Sequence, residues 1–233
     1  MPAEGAAYLD ELIGRVDPDR WLTTRFISDQ GDRADVLALY AFDHELARAR
    51  RAATTPLLAE IRLTWWREAL EEIGAGQPVR RHPVVEALAG LLVRRPDALP
   101  GLVTIIDGYV AALEPVAMDE AAALAWADAT QGTAARIAVT ILDPASDMDA
   151  AASAGRAWGL ALLQRAELAS RATIAAPLRA ALDQARRDAR RLSVAALPAA
   201  LPARVARFDL AGRTPGRLSK QLALVLAATT GRL

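Results

Sequence analysis

The sequence predicts an all-α protein folded as a helical bundle of the isoprenoid synthase type. The 233 residues are rich in the helix formers Ala, Leu, Arg and Glu, and only 5% of them are aromatic. Apolar residues recur at three- and four-residue steps, with no convincing apolar–polar alternation. The breaks between the periodic segments are short, which favours a single domain over residues 1–233.

The clearest predicted helix runs from Pro56 to Ile73. Its apolar stripe is formed by Leu63, Trp66, Leu70 and Ile73 and is widened by Ile61 and Trp65. Thr54 or Thr55 is the expected cap before Pro56, and Gly74 and Gly76 end the helix.

Similar punctuation divides the rest of the chain. Asp32 is the expected cap of a helix over about 33–53. The other predicted helices cover 83–94, 95–113, 119–142, about 148–170, 175–192 and 215–231. Glu114-Pro115 breaks the chain between two of them, and the proline-punctuated stretch 197–204 precedes the last.

Composition excludes several classes of function. The chain has 28 basic and 28 acidic residues, so no net charge draws it to nucleic acid. It lacks cysteine and has only His44 and His82, which rules out disulfides, thiolate zinc sites and cysteine nucleophiles. No apolar run reaches the ~20 residues of a membrane span, and no secretory start is present. We therefore expect a cytoplasmic protein, with peripheral membrane association left open.

Three groups of acidic residues are candidate cation sites. Asp29, Asp32 and Asp35 form a DxxDxxD pattern that suits Mg²⁺, but capping of a helix explains it better. Two glutamates four residues apart, Glu68 and Glu72, share a helix face, which we interpret as a solvated face. Salt bridges on an exposed helix explain a further acidic pair among arginines, Asp183 and Asp188.

His44 and the tryptophan pair are candidates for contact with a ligand. His44 has the side chain of a general acid or base, but nothing in the sequence supplies a nucleophile, so we expect a structural or cleft-lining role. Trp65 and Trp66 point about 100° apart on a helix. At least one of them is expected in the core, and the other is free to stack on a flat ligand or to line a lipid cleft.

Three stretches together resemble the squalene/phytoene synthase family. They are ALYAF at 38–42, EIRLTWWREAL at 60–70 with HPV at 82–84, and AGRAWGLA at 154–161. The segment 128–134 is similar to the small-residue kink of the family's central helix. The resemblance implies two aspartate-rich helical motifs that face each other across a cavity. There Mg²⁺ binds a prenyl diphosphate, and two such substrates are joined head to head.

The chain departs from the family at those two motifs. Where the first motif has aspartates, this sequence has Ala47, Arg48 and Arg51. The second motif corresponds to the stretch 163–167, with Gln164 and a lone acid, Glu167. We therefore expect no cofactor, and Mg²⁺ only if the chain is an active enzyme.

Two hypotheses follow, with a ligand-free helical scaffold as a third. The first is a catalytically inactive member, similar to the branch with the mitochondrial complex I assembly factor, whose partners are membrane-enzyme subunits or a prenyl lipid. The second is an active prenyltransferase, in which four arginines hold a diphosphate without metal: Arg48, Arg50, Arg51 and Arg62. The expected cleft or ligand-binding residues are Tyr40, His44, Arg48, Arg51, Arg62, Gly132 and Gln164.

Overall fold

The computed structural model describes residues 3–113 and 116–233, and every regular element within them is helical. The α-helices are α1 (Ala3–Val16), α2 (Pro18–Thr24), α3 (Gln30–Arg51), α4 (Pro56–Gly74), α5 (Pro83–Arg94), α6 (Leu99–Ala111), α7 (Glu120–Ala127), α8 (Thr133–Leu142), α9 (Ala152–Arg165), α10 (Arg171–Asp188), α11 (Pro202–Leu210) and α12 (Arg217–Thr230). The predicted all-α class is confirmed. The predicted break at Glu114-Pro115 lies outside the described residues.

Capping side chains explain where several helices begin. Asp29, and not Asp32, caps α3, because the Asp29 carboxylate accepts the backbone N–H of Asp32 at 2.9 Å. Asp32 instead lies in the first turn, where negative charge favours the helix dipole. Asp35 is buried and forms an ion pair with Arg94. The predicted cap was therefore wrong by three residues, and each aspartate of the pattern has a structural use.

Helix α4 confirms the prediction for its segment, and of the two candidate caps, Thr54 and Thr55, it is Thr55 that accepts the backbone N–H of Leu58. Leu63, Trp66 and Leu70 are buried as expected. Ile61 was wrongly assigned to the buried stripe and is 56% exposed. The reason is geometric, because Ile61 lies about 160° around the helix from Leu63.

The predicted helix 119–142 is interrupted at its centre. Asp119 caps α7, and a π-helical segment, Asp128–Gly132, separates α7 from α8. Helix α9 packs closely on this segment. A Cβ atom on Gly155 would lie 2.2 Å from the carbonyl oxygen of Gln131, so only glycine permits this approach.

The second half of the chain corrects several boundaries. Helix α9 ends at Arg165, and Ser170 caps α10 at its start instead of ending the preceding helix. The proline-punctuated stretch is a short 3₁₀ turn followed by α11, a helix that was not predicted. The prolines of the segment lie in the first turn of each element, where proline is favoured. We interpreted them as breaks, so the two short elements were not recognised. Helices α1 and α2 also had no sequence prediction.

Helix α3 runs through the middle of the molecule and positions the site described below. Its residues from Val36 to Asp43 are all buried, and it packs against α1, α2, α4, α5, α6 and α8. Helix α9 is the second central element and packs against α7, α10, α11 and the π-helical segment. In the part of the chain described here, no helix combines the length and apolar character needed to cross a membrane.

Candidate functional site

A cavity of about 540 Å³, called here the charged cavity, is bounded mainly by α2, α3 and α9. Its polar wall consists of Asp17, Asp19, Arg20, Asp43, His44, Arg50, Arg51, Tyr109 and Arg165. Its apolar wall includes Ala47, Trp126, Leu162, Leu163 and Leu168. The cavity therefore has both cationic and apolar surface.

Asp43 is the centre of a buried polar cluster at one side of this cavity. Its carboxylate is 2% exposed and accepts three hydrogen bonds. The donors are the Arg20 guanidinium at 2.7 Å, the Tyr109 hydroxyl at 2.8 Å and the Gln131 amide at 2.8 Å. Three other segments of the chain thus converge on this one carboxylate.

Arg20 completes the cluster and is itself only 4% exposed. Its guanidinium also binds Asp17 and the amide oxygen of Gln131, the latter at 3.1 Å, and lies 4.6 Å from the centre of the Tyr40 ring. Burial alone would lower the pKa of Arg20, but the carboxylates of Asp17 and Asp43 outweigh burial and raise it. Arg20 therefore keeps its charge although it is buried.

Tyr109 is a donor within this cluster and not an acid. Burial, followed by the nearby Asp43 carboxylate, raises the pKa of Tyr109 well above its ordinary value. The hydroxyl therefore stays protonated at neutral pH and donates to Asp43.

A second chain of ion pairs lies along the wall of the cavity. Asp19 accepts from Lys220 of α12 at 2.7 Å and from Arg165 of α9 at 3.1 Å. Arg165 also binds both carboxylate oxygens of Asp209, at 2.8 and 2.7 Å, and its guanidinium lies 4.7 Å from the Trp158 ring centre. These bonds tie α2, α9, α11 and α12 together beside the cavity.

Helix α3 contributes cations that these chains do not use. Arg50 and Arg51 both line the charged cavity, and within residues 3–113 and 116–233 neither has a carboxylate at ion-pair distance. Burial lowers the pKa of Arg50 and also that of His44. His44 is therefore neutral at pH 7 and can accept or donate a hydrogen bond there.

The residues of the charged cavity do not fit a Mg²⁺ site. Mg²⁺ requires carboxylate oxygens with free lone pairs and near-octahedral geometry. The three carboxylates of the wall, Asp17, Asp19 and Asp43, are each bound to an arginine of the chain. In the described part of the chain, no three acidic or histidine side chains are grouped so as to hold a metal ion.

The structure separates the residues predicted to line a cleft. His44 and Arg51 line the charged cavity, and Tyr40 lies behind it under Arg20. Gly132 is buried in the π-helical segment. Arg48 and Arg62 line a smaller groove of about 290 Å³ with Trp65, Trp66 and His82, and Arg48 is paired with Glu45. Gln164 is half-buried on α9 and lines neither space.

Sequence reasoning missed the buried cluster of Arg20, Asp43, Tyr109 and Gln131. One signal was present in the sequence: Asp43 follows Val36–Phe42, a run of residues that α3 buries completely. A carboxylate at the end of such a run is rarely buried without a partner. The partners themselves are 23, 66 and 88 residues away in the chain, so local pattern could not name them.

The other acidic candidates have structural partners. Glu68 and Glu72 both bind Arg80, with closest distances of 2.9 and 2.7 Å, so their shared face holds a guanidinium. Asp183 forms an exposed pair with Arg186, as expected. Asp188 forms the expected salt bridge, with Arg191 at 3.2 Å, but the expectation that it is exposed was wrong: it is buried and accepts from Ser153 at 2.8 Å, because α10 packs on α9 there.

The tryptophan pair has one buried and one half-buried member. Trp66 is buried and meets the Phe42 ring edge-on at 5.6 Å, which confirms the prediction that at least one packs in the core. Trp65 is half-buried and packs against Trp66 and the His82 ring.

A second cavity of about 600 Å³, called here the alanine-lined cavity, lies beside the charged cavity between α6 and α7. Its wall contains six alanines: Ala111, Ala112, Ala117, Ala122, Ala125 and Ala129. Trp126 lines both cavities, so they are adjacent. An apolar space thus adjoins a space with a cationic wall.

This fold and cavity define the class of protein. The family model described as squalene/phytoene synthase matches residues 13–167, about two thirds of the chain. The chain belongs to the squalene/phytoene synthase family. A crystal structure of a dehydrosqualene synthase in complex with a ligand is similar to this chain over 97% of its length and 96% of that chain, with a TM-score of 0.77. Its 13% sequence identity shows a shared fold only. A sequence search of curated proteins gives no significant match.

Proposed function

We propose that the protein is a non-catalytic member of its family that binds a prenyl-chain ligand. The observation that carries this proposal is that the carboxylates of the charged cavity are already bound to arginines, whereas Arg50 and Arg51 line it without such partners in the described chain. Ionisation of a prenyl diphosphate requires charge stabilisation that strengthens as the leaving group departs. Carboxylates that are already in ion pairs are not free to bind the metal ions that would stabilise the leaving diphosphate.

The shape and polarity of the two cavities support an amphipathic ligand. Arg50 and Arg51 suit an anionic head group, because guanidinium groups bind phosphate bidentately. Leu162, Leu163 and Trp126 offer an apolar wall next to them, and the alanine-lined cavity extends the apolar space. A prenyl phosphate, a prenyl diphosphate or a quinone-like prenyl lipid has this combination of a polar head and an apolar chain.

The biological task that we propose is assistance in the assembly of a membrane enzyme, with a respiratory complex as the leading case. Support comes from the ALYAF and EIRLTWWREAL stretches together with the missing aspartates, a combination similar to the complex I assembly branch of the family. The test is co-purification of the protein with subunits of that enzyme and assembly of the enzyme in a deletion strain. Normal assembly without the protein would contradict this part of the proposal.

Ligand binding is tested with farnesyl and geranylgeranyl diphosphate, each with and without Mg²⁺. Thermal unfolding reports binding, and diphosphate release and extracted lipids report turnover. We expect a higher unfolding temperature that does not require Mg²⁺, and no turnover. Metal-dependent turnover would instead establish the active prenyltransferase, and the absence of any shift with a folded protein would contradict prenyl binding.

Matched variants locate the head group. Replacing Arg50 and Arg51 with Gln should abolish most of the stabilisation by either diphosphate, since it removes the two cationic partners. The control replaces Arg81 and Arg190, two exposed arginines outside the cavity, which removes the same charge. Equal effects of the two double variants would contradict a head-group site at the charged cavity.

A further inference from the structure

Helix α12 has an exposed apolar face. Leu218, Leu222, Val225 and Leu226 are 81%, 62%, 45% and 51% exposed. They follow the helical spacing i, i+4, i+7 and i+8, so they form one stripe along the helix. The opposite side of α12, with Ala223, Leu224 and Ala227, is buried against α11 and α2. The exposed stripe is therefore additional to the face that holds the helix in the fold.

Positive charge surrounds this stripe although the whole chain has no net charge. From Leu210 to Leu233 the sequence contains four basic residues and no acidic residue. Arg204 and Arg213 lie in the same surface groove as Leu222 and Leu226, and no acidic side chain lines that groove. On the neighbouring helices α2 and α11, Asp19 is bound to Lys220 and Asp209 to Arg165. Local charge and local apolar exposure therefore coincide.

We infer that the α12 face is a docking surface for an anionic lipid bilayer. A helix with an apolar stripe flanked by Arg and Lys lies in the plane of the interface, with its apolar side chains among the lipid chains. Anionic head groups would meet Arg204 and Arg213, which line the groove beside Leu222 and Leu226. Fourteen residues give a helix about 21 Å long, which rests on the membrane without crossing it.

Exposure of apolar residues alone does not lead to this inference, as helix α4 shows. Leu57 and Ile61 of α4 are 65% and 56% exposed, with the same four-residue spacing as Leu218 and Leu222. Helix α4 contains four acidic and two basic residues, and two of the acidic ones are bound to Arg80, so this helix offers no excess of positive charge to an anionic surface. The positive charge around α12 is the reason for inferring a lipid surface as its partner. Helix α4, with a similar apolar exposure and no such charge, serves as an internal control.

The experiment measures binding of the full chain to vesicles. We expect binding to vesicles with about 30% phosphatidylglycerol, weaker binding to pure phosphatidylcholine, and loss of binding as salt rises from about 0.05 to 0.5 M. Replacing Leu218 and Leu222 with Ser should raise Kd on the order of tenfold or more. Replacing Leu57 and Ile61 with Ser should leave Kd within about twofold.

A second pair of variants tests the charge. Replacing Arg213 and Arg217 with Gln should raise Kd on the order of 20-fold, since each basic residue near an anionic surface contributes roughly a fivefold factor. The charge-matched control replaces Arg81 and Arg190 with Gln and should change Kd little. Equal losses in the two pairs would show a non-specific charge effect and overturn the docking surface.

Two further outcomes would also overturn the inference. One is the absence of binding to anionic vesicles by the folded protein. The other is a dimer in sedimentation that the Leu218/Leu222 variant disrupts, because a second copy would then cover the face. Neither outcome depends on a ligand in the charged cavity, so the result is separate from that of the prenyl-binding experiment.

Discussion

Asp43 shows at the scale of one residue how the cavity wall is held. A carboxylate that is 2% exposed is favourable only if charged and polar partners replace water. Arg20, Tyr109 and Gln131 do so with three bonds of 2.7 to 2.8 Å. The charged wall is therefore preformed, because these bonds hold its side chains in place without a ligand.

Replacing Asp43 with Asn should lower the free energy of unfolding by about 3 kcal/mol, because it leaves the buried Arg20 guanidinium with one carboxylate fewer. Urea denaturation measures this change. Asp183→Asn is the control, since its ion pair with Arg186 is exposed and should contribute less than about 1 kcal/mol. A loss at Asp43 no larger than that of the control would show that the buried pair is not stabilising.

The partners of Asp43 also show why a site is harder to predict than a helix. The spacing of Leu63, Trp66 and Leu70 was enough to predict α4, and Pro56 limited its cap to Thr54 or Thr55. The Asp43 cluster joins residues from α2, α3, α6 and the π-helical segment, which only tertiary packing brings together. Local periodicity carries no information about that convergence.

At the scale of the element, the π-helical segment Asp128–Gly132 has two effects on the fold. It turns the Gln131 side chain toward Asp43 and Arg20, and it offers its backbone to α9 at very short range. π-Helical turns inside α-helices are frequent at functional sites. The small-residue stretch at 128–134 indicated a kink here, but an unbroken helix from 119 to 142 was also expected, because the flanking pattern is continuous.

Gly155→Ala should destabilise the protein by about 2 kcal/mol, because its new methyl group would lie 2.2 Å from the Gln131 carbonyl oxygen. Gly90→Ala in α5 is the matched control. Its Cβ would have no neighbour closer than 3.9 Å, so alanine should stabilise that helix by about 0.5 to 1 kcal/mol. Thermal unfolding should show a lower unfolding temperature for Gly155→Ala and a higher one for Gly90→Ala. A higher unfolding temperature for Gly155→Ala would contradict the close packing of α9 on the π-helical segment.

At the scale of the whole molecule, two central helices organise the fold. Helix α3 packs against six other helices, and α9 packs against α7, α10 and α11. Helices α3 and α9 also both contribute to the wall of the charged cavity. Both helices belong to the core and also line the cavity. A movement of the cavity wall therefore also changes the packing of the core.

We propose that residues 1–233 unfold as one cooperative unit. The five tryptophans lie on α2, α4, α7 and α9, so their fluorescence reports the first two thirds of the chain, whereas circular dichroism reports all helices. We expect the two signals to give the same midpoint in urea. A later or earlier circular-dichroism transition would show that α10 to α12 unfold separately.

The bonds of Asp19 connect the charged cavity with helix α12. The same carboxylate lines the charged cavity and accepts from Lys220 on α12. A ligand in the cavity that breaks the bonds of Asp19 or Arg165 would therefore weaken the attachment of α12. A displacement of α12 would in turn change the position of Asp19 in the cavity wall. Thermodynamic reciprocity requires the two effects to be equal: if a lipid surface tightens ligand binding by some factor, the ligand tightens surface binding by the same factor.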